Sequence, residues 1–126
     1  MWYFEITTGK LRDKNGVVVG TGYSGAPGHV DNPADEDLQG LGPIPEGDFT
    51  IGAPFNSPDH GPFCLRLTPD ASDTMYGRDG FLMHGDSKEH PGAASKGCIV
   101  QARTVREAVA ASGDNRLRAQ AVYSLG

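Results

Sequence analysis

The 126 residues suffice for one compact domain, 1–126, and leave no room for a separate substrate domain. Eighteen glycines and nine prolines predict abundant turns, while 37% apolar residues predict a buried core rather than disorder. A net charge of −5 with scattered Lys and Arg excludes the footprint of a nucleic-acid binder, and no run of about 18 apolar residues is present to span a bilayer as a helix.

In chain order, residues 1–8 are aromatic and β-branched and read as a first strand. Asn15-Gly16 predicts a type I′ hairpin turn, and the three valines of 17–23 predict a buried strand after it. Residues 24–45 hold Asn, Asp, Pro and Gly clusters with no helical or strand period, which predicts a long ordered loop placed to act as a lid. Residues 48–51, 63–67 and 80–83 read as short strands bounded by Gly or Pro. One helix is signalled by a Thr104-to-Glu107 capping box, with Gly113 as its C-terminal stop. Over 116–125, Leu117, Ala119, Ala121, Tyr123 and Leu125 alternate with polar residues, as in a half-buried final strand. The predicted class is mainly β, a compact sandwich or barrel with one short helix after the second cysteine.

Chemistry concentrates between residues 81 and 100. The apolar run Phe81-Leu82-Met83 delivers His84, and fourteen residues later the small-residue turn Ser95-Lys96-Gly97 delivers Cys98. A thiol becomes a useful nucleophile beside a base, so His84 and Cys98 form the natural pair. Gly97 allows a tight turn that brings main chain close to a substrate, and the Cys98 amide is placed to face an oxyanion. Ser95 bonds either within that turn or to substrate. His90 competes as the base, but it sits in a loop between Glu89 and Pro91, whereas a strand end holds a catalytic group better. His29 and His60 lie beside glycines in other turns and are expected in solvent. Cys64 reads as apolar filler. A Cys64–Cys98 disulfide and a zinc site built from His84, His90, Cys98 and a carboxylate remain open alternatives, although no ligand pair has the tight spacing of a zinc motif.

His84-Gly85 followed by Ser95-x-Gly97-Cys98-Ile99 resembles the catalytic signature of L,D-transpeptidases. Thr21-Gly22-Tyr23-Ser24-Gly25, the stretch from Gly42-Pro43-Ile44-Pro45 through Gly47 and Phe49 to Ile51-Gly52, His84-Gly85-Asp86-Ser87 and Ser112-Gly113-Asp114 extend the likeness. Together they are similar to the short L,D-transpeptidase-related effectors of type VI secretion systems, over nearly the whole chain. The resemblance implies a β-rich enzyme of peptidoglycan stem peptides that releases D-alanine from position four, after meso-diaminopimelate. Water resolves the acyl-enzyme in a carboxypeptidase, and an amine resolves it in a transpeptidase.

Carried over by position, Cys98 is the nucleophile, His84 the base and later acid, and the Gly85 carbonyl the group that holds the imidazole. No metal or organic cofactor is implied. Lys96 stands where many relatives have histidine, and Val100 where many have arginine, a charge that Arg103 is placed to replace. Tyr23, Ser24, Asp86 and Ser87 are expected to line the cleft, with Ser95, Gly97, Lys96 and Arg103. Because the protein is acidic, a carboxylate-bearing substrate needs local cations, for which Lys88, Lys96 and Arg103 are the candidates. The resemblance also implies an antibacterial toxin with a secretion apparatus and an immunity protein as partners. The opening residues lack a basic segment followed by an apolar run. That opening is expected of a protein made in the cytoplasm without a signal peptide and delivered by a secretion apparatus, and the resemblance implies action in the periplasm of a target bacterium. Monomer is the state expected of a small, acidic, diffusible enzyme. A phage or prophage cell-wall enzyme fits the same opening. A non-catalytic peptidoglycan-binding module would keep the fold, but such a module has no need of both His84 and Cys98.

Overall fold

The apolar runs between the Gly and Pro turns form short strands, seen in a computed structural model that describes residues 1–124. In chain order these are β1 (Trp2–Glu5), β2 (Lys10–Arg12), β3 (Val18–Thr21), β4 (Tyr23–Ser24), β5 (Gly47–Ile51), β6 (Phe55–Ser57), β7 (Gly61–Pro69), β8 (Leu82–His84), β9 (Ile99–Val100) and, after helix α1 (Arg103–Ala111), β10 (Arg116–Gln120). Their order in the sheet is β3-β2-β1-β10-β5-β7-β8-β9-β4, with β6 paired to β7 off this path. The β1–β10 and β8–β9 pairs are parallel and the others antiparallel. The mainly β architecture with one short helix is the one expected.

Strands β3 and β4 stand at opposite ends of that order, yet only Gly22 separates them in the chain. The sheet therefore curls round until its two ends meet. The closure forces main chain against main chain: a Cβ on Gly22 would lie 1.7 Å from the Val100 carbonyl oxygen. Only glycine fits there. Inside the curl, Phe4, Leu11, Ile44, Phe49, Leu65, Leu67, Met83, Ile99 and Leu117 are fully buried.

Three local expectations change. Val17 and Val18 are exposed, because β3 is an end strand that has no partner on its outer side among the described residues, and of the three valines Val19 packs against the core. The 13–16 turn is not type I′, which needs positive φ at two successive residues, and only Gly16 has it (φ +81°). Instead the Asp13 carboxylate accepts the N–H groups of Asn15 and Val17, and the Asp13 N–H bonds the Val17 carbonyl, as in a type I turn with a glycine bulge. The helix has no Thr104 capping box: Ala102 is its N-cap without a side-chain bond, and Glu107 pairs with Arg103 at 3.5 Å. Gly113 does follow the last turn with φ +75°. The alternation of 116–125 holds through β10, where Leu117 and Ala119 are buried; Leu125 lies outside the described residues.

The 24–45 loop contains a single 3₁₀ turn, Pro33–Asp35, and is otherwise a chain of hydrogen-bonded turns. Its two ends pass beside the segment that carries Cys98, and that contact positions the site.

Candidate functional site

Strand β8 ends at His84, and β9 begins one residue after Cys98. Their parallel register sets Met83 opposite Ile99 and His84 opposite Val100. Met83 and Ile99 point into the core, so side-chain alternation turns His84, Val100 and, two residues before Val100, Cys98 to the other face. The sheet thus brings the proposed base and thiol onto one face, one strand apart and offset by about 7 Å along the strand direction. Cys64 precedes Leu65, which pairs with Met83, and so it flanks His84 on the opposite side. Cys64 and Cys98 are separated by the full width of β8, two strand spacings or about 9.6 Å, which is too far for a disulfide. Both are free thiols. Cys64 is fully buried, as expected of apolar filler, with its sulfur 3.3 Å from the Gly61 carbonyl.

The His84 imidazole is 1% exposed. Its Nδ1 lies 2.8 Å from the Gly85 carbonyl, an acceptor, so Nδ1 carries the proton and Nε2 keeps its lone pair. Nε2 is buried and has no hydrogen-bond partner among the described residues. Burial is the main force pushing the imidazole below its ordinary pKa; nearby His60 and Arg106 push the same way, and the Gly85 carbonyl opposes them. His84 thus presents Nε2 as an acceptor, and burial favours its uncharged form. Cys98 is half-buried, with its sulfur 3.9 Å from the Gly80 carbonyl rather than on Nε2. Burial raises its thiol above the ordinary value, while a hydrogen bond from the Leu82 main chain and the charge of Arg78 act downward. Both shifts favour an uncharged thiol and an uncharged imidazole over an ion pair.

The cysteine turn is held by side chains rather than by a strand ladder. Ser24 and Ser95 both donate to the Cys98 carbonyl, at 2.9 and 2.7 Å. Ser24 also accepts the Ile44 N–H, and Ser95 accepts the N–H groups of Gly25 and Gly97. Both hydroxyls are buried and engaged within the protein, so these serines frame the turn and do not face a cleft. Gly97 sits at φ +132°, and a Cβ there would lie 2.2 Å from Arg78 Nη2.

Between His84 and Cys98, Asp86 accepts bonds from Tyr23 Oη (2.6 Å), Ser87 N–H and Gly92 N–H, and Tyr23 Oη accepts the Ala94 N–H. Burial, then the Asp86 bond, pushes the Tyr23 phenol up to about 12, so it remains a donor. Ser87 caps the next turn by accepting the His90 N–H, and His90 itself is exposed in this loop.

Two clefts flank this machinery. The first, about 320 Å³, is lined by Cys98, Gly97, Lys96, Arg78, His60 and Gln39 among others. The second, about 510 Å³, is lined by Tyr23, Gly85, Asp86, Gln101, Arg103 and Arg106 among others. The expected cleft residues thus divide: Lys96 and Gly97 stand with the thiol, while Tyr23, Asp86 and Arg103 stand in the neighbouring cleft. Arg103 lies over the Phe63 ring at 4.7 Å as well as beside Glu107. Arg106 is buried and donates to the carbonyls of Phe63, Pro62 and Gln101, docking α1 against β7.

Two residues of the cysteine cleft escape a sequence reading. His60 is exposed as expected, yet its ring stacks on His84, with centroids 4.4 Å apart and planes 20° from parallel. Arg78 is buried and donates to four main-chain carbonyls. The one local sign of either is an arginine within Gly77-Arg78-Asp79-Gly80, just ahead of the strand that carries the histidine. His29 is half-buried, not free in solvent, and bonds Asp35 at 2.8 Å. Among the described residues, His84, His90 and Cys98 join no carboxylate in a metal-sized cluster, and no helix is long and apolar enough to cross a membrane.

Neither the curated proteins nor the solved structures yield a match to this chain. A family model does: the Tlde1 domain matches residues 19–125, which span β3 to the C-terminal segment and include both His84 and Cys98. The chain belongs to the Tlde1-domain family, a type VI secretion effector family.

Proposed function

We propose that the protein is a cysteine enzyme of peptidoglycan, an L,D-carboxypeptidase, L,D-transpeptidase or both, that acts on the stem tetrapeptide between meso-diaminopimelate and D-alanine. The observation that supports this best is the buried His84, whose Nδ1 is fixed by Gly85 and whose Nε2 takes no hydrogen bond from the described residues, on the same sheet face as Cys98.

Rotation of the Cys98 side chain away from the Gly80 carbonyl brings the thiol toward Nε2. His84 takes the thiol proton as sulfur bonds the meso-diaminopimelate carbonyl carbon, and the oxygen becomes an oxyanion facing the Cys98 amide. Collapse breaks the C–N bond, D-alanine leaves with the proton held by His84, and a thioester remains. Water, or the amine of a D-amino acid or second stem, then attacks the thioester while His84 accepts its proton. The thiolate leaves and is reprotonated, completing hydrolysis or exchange. Lys96 lines the same cleft as the thiol, which supports a role in meeting a substrate carboxylate. Membership of an effector family supports delivery into a target cell and the need for an immunity protein.

The test is to incubate the protein and Cys98→Ala with tetrapeptide muropeptides and weigh the products. Loss of one alanine that depends on Cys98 supports the carboxypeptidase, and exchange with added D-amino acid supports the transpeptidase. A substrate left intact by both forms defeats the proposal. His84→Ala is expected to abolish turnover, and His90→Ala to leave most of it.

A further inference from the structure

The Cys98 thiol lies in a half-buried site whose histidine is held neutral, so neither burial nor the resting imidazole favours a negative charge on sulfur. A site of this kind benefits from a fixed cation. Arg78 is 8% exposed, lines the same cleft as Cys98, and lies over the Phe81 ring at 5.7 Å. Its Nη1 donates to the carbonyls of Glu36 and Pro43, and its Nη2 to those of Gly42 (3.0 Å) and Lys96 (3.3 Å). All four partners are main-chain carbonyls, and among the described residues no carboxylate forms an ion pair with it. Carbonyls satisfy the donors without cancelling the charge. Arginine keeps that charge even when buried.

The same side chain fixes shape. The Lys96–Gly97 peptide immediately before Cys98 is held from both sides, its carbonyl by Arg78 and its N–H by Ser95. Through Glu36, Gly42 and Pro43, Arg78 also ties the 24–45 loop to the cysteine turn. That loop is therefore strapped down along one wall of the cleft, where Gln39 and Gly40 line it.

Building on the nucleophilic role of Cys98, we propose that Arg78 is the positioning residue of the cysteine site, setting the Lys96–Gly97 peptide and supplying the permanent positive charge beside the sulfur. The other groups that bear on the thiol are Lys96 on its own turn, His84 on β8, Cys64 on β7, His60 ahead of β7 and Asp79 next to Arg78; Glu36 and Asp37 of the loop face Arg78 itself. Of the cations, Arg78 alone is both buried and always charged.

Two variants separate charge from shape. Arg78→Gln removes the charge, while Arg78→Lys keeps it but cannot reach four carbonyls at once. The rate of Cys98 alkylation by iodoacetamide is followed against pH by peptide mass, alongside circular dichroism and turnover on tetrapeptide muropeptides. Arg78→Gln is expected to raise the alkylation midpoint by about one pH unit. Arg78→Lys is expected to leave the midpoint near that of the wild type while lowering turnover at least about tenfold. A folded Arg78→Gln with an unmoved midpoint overturns the proposal, as does Arg78→Lys with full turnover. Should Arg78→Gln fail to fold, Arg78→Lys decides alone: an unmoved midpoint with reduced turnover upholds the proposal, and a displaced midpoint overturns it. Alkylation needs no substrate, so if the wild type leaves muropeptides intact, the midpoints still decide about Arg78 while the peptidoglycan reading falls separately.

Discussion

The two halves of the curled sheet are held together in different ways. Around β1, β10 and β5, alternating apolar side chains make the core, and the outer face carries half-exposed ion pairs such as Arg118–Asp48 and Arg116–Asp70. Around β4, β8 and β9 the strands are only two or three residues long, and buried polar side chains take over: Ser24 and Ser95 on the Cys98 carbonyl, Arg78 on four carbonyls, Arg106 on three. Alternating apolar residues tolerate small shifts, whereas hydrogen bonds in a low-dielectric setting fix angles and penalise any partner left alone. The half that carries the thiol of Cys98 and the imidazole of His84 is the one built from directional contacts.

If that contrast is right, Ser95→Ala has the largest effect outside the reacting pair. It strands two buried N–H groups, those of Gly25 and Gly97, and leaves the Cys98 carbonyl with Ser24 alone. A loss of about 2–3 kcal/mol in unfolding free energy follows, read by urea titration. Turnover falls by about a hundredfold as the turn relaxes. A variant with native stability and full turnover would show that the hydroxyl clamp is dispensable.

The sequence exposes the pair and the Ser95 turn but hides the long-range supports, for one physical reason. His84, Gly85, Gly97 and Cys98 sit in one short stretch, where a strand and a tight turn leave local marks. Ser24 and Ser95 stand 71 positions apart and meet at one carbonyl only because β4 pairs with β9, a closure that no local pattern encodes. The place of β3 at the end of the sheet is equally a matter of long-range order, so Val17 and Val18, which read as core, stand in solvent. His60 meets His84 through the β7–β8 pairing, again a long-range event. Local signals did carry further where local energetics decide, as with the alternation of β10 and the glycine after α1. The N-terminal end of α1 misled because Ala102 takes the extended cap conformation (φ −60°, ψ 156°), which places Thr104 within the first turn.

The stacked imidazoles give a smaller effect. His60→Ala removes one ring of the pair and is expected to lower turnover about three- to tenfold, the equivalent of a lost aromatic contact, while His60→Phe restores most of it. Equal losses in both variants would point instead to a role for the His60 nitrogens. The pH profile sharpens the comparison without a mutation. Burial holds His84 unprotonated below its ordinary value of 6.5 and keeps Cys98 a thiol above its ordinary value of 9.0. On the proposed mechanism the reacting form is neutral imidazole with neutral thiol, so kcat/KM should fall on the acid side only below pH 6.5 and show no rise across the neutral range from thiolate formation. An acid limb centred at or above pH 6.5 would mean that His84 is not the buried base described.

The smallest effect belongs to the other half. Asp48 bonds Arg118 through both its oxygens, at 2.7 and 3.1 Å, and that contact holds its carboxyl below the ordinary 3.8. A carboxylate whose folded pKa is depressed adds stability above its unfolded pKa and loses it as pH falls through the folded one. The pair is about a quarter to a third exposed, so solvent and salt screen it and the gain stays within about 1 kcal/mol. Asp48→Asn should therefore cost less than about 1 kcal/mol near neutral pH, shrink in 1 M salt, vanish as pH falls well below 3.8, and leave turnover unchanged. A bidentate ion pair that matters less than the single Ser95 hydroxyl would follow from where each sits: the carboxylate gives up a contact that water replaces, and the buried hydroxyl leaves groups that water cannot reach.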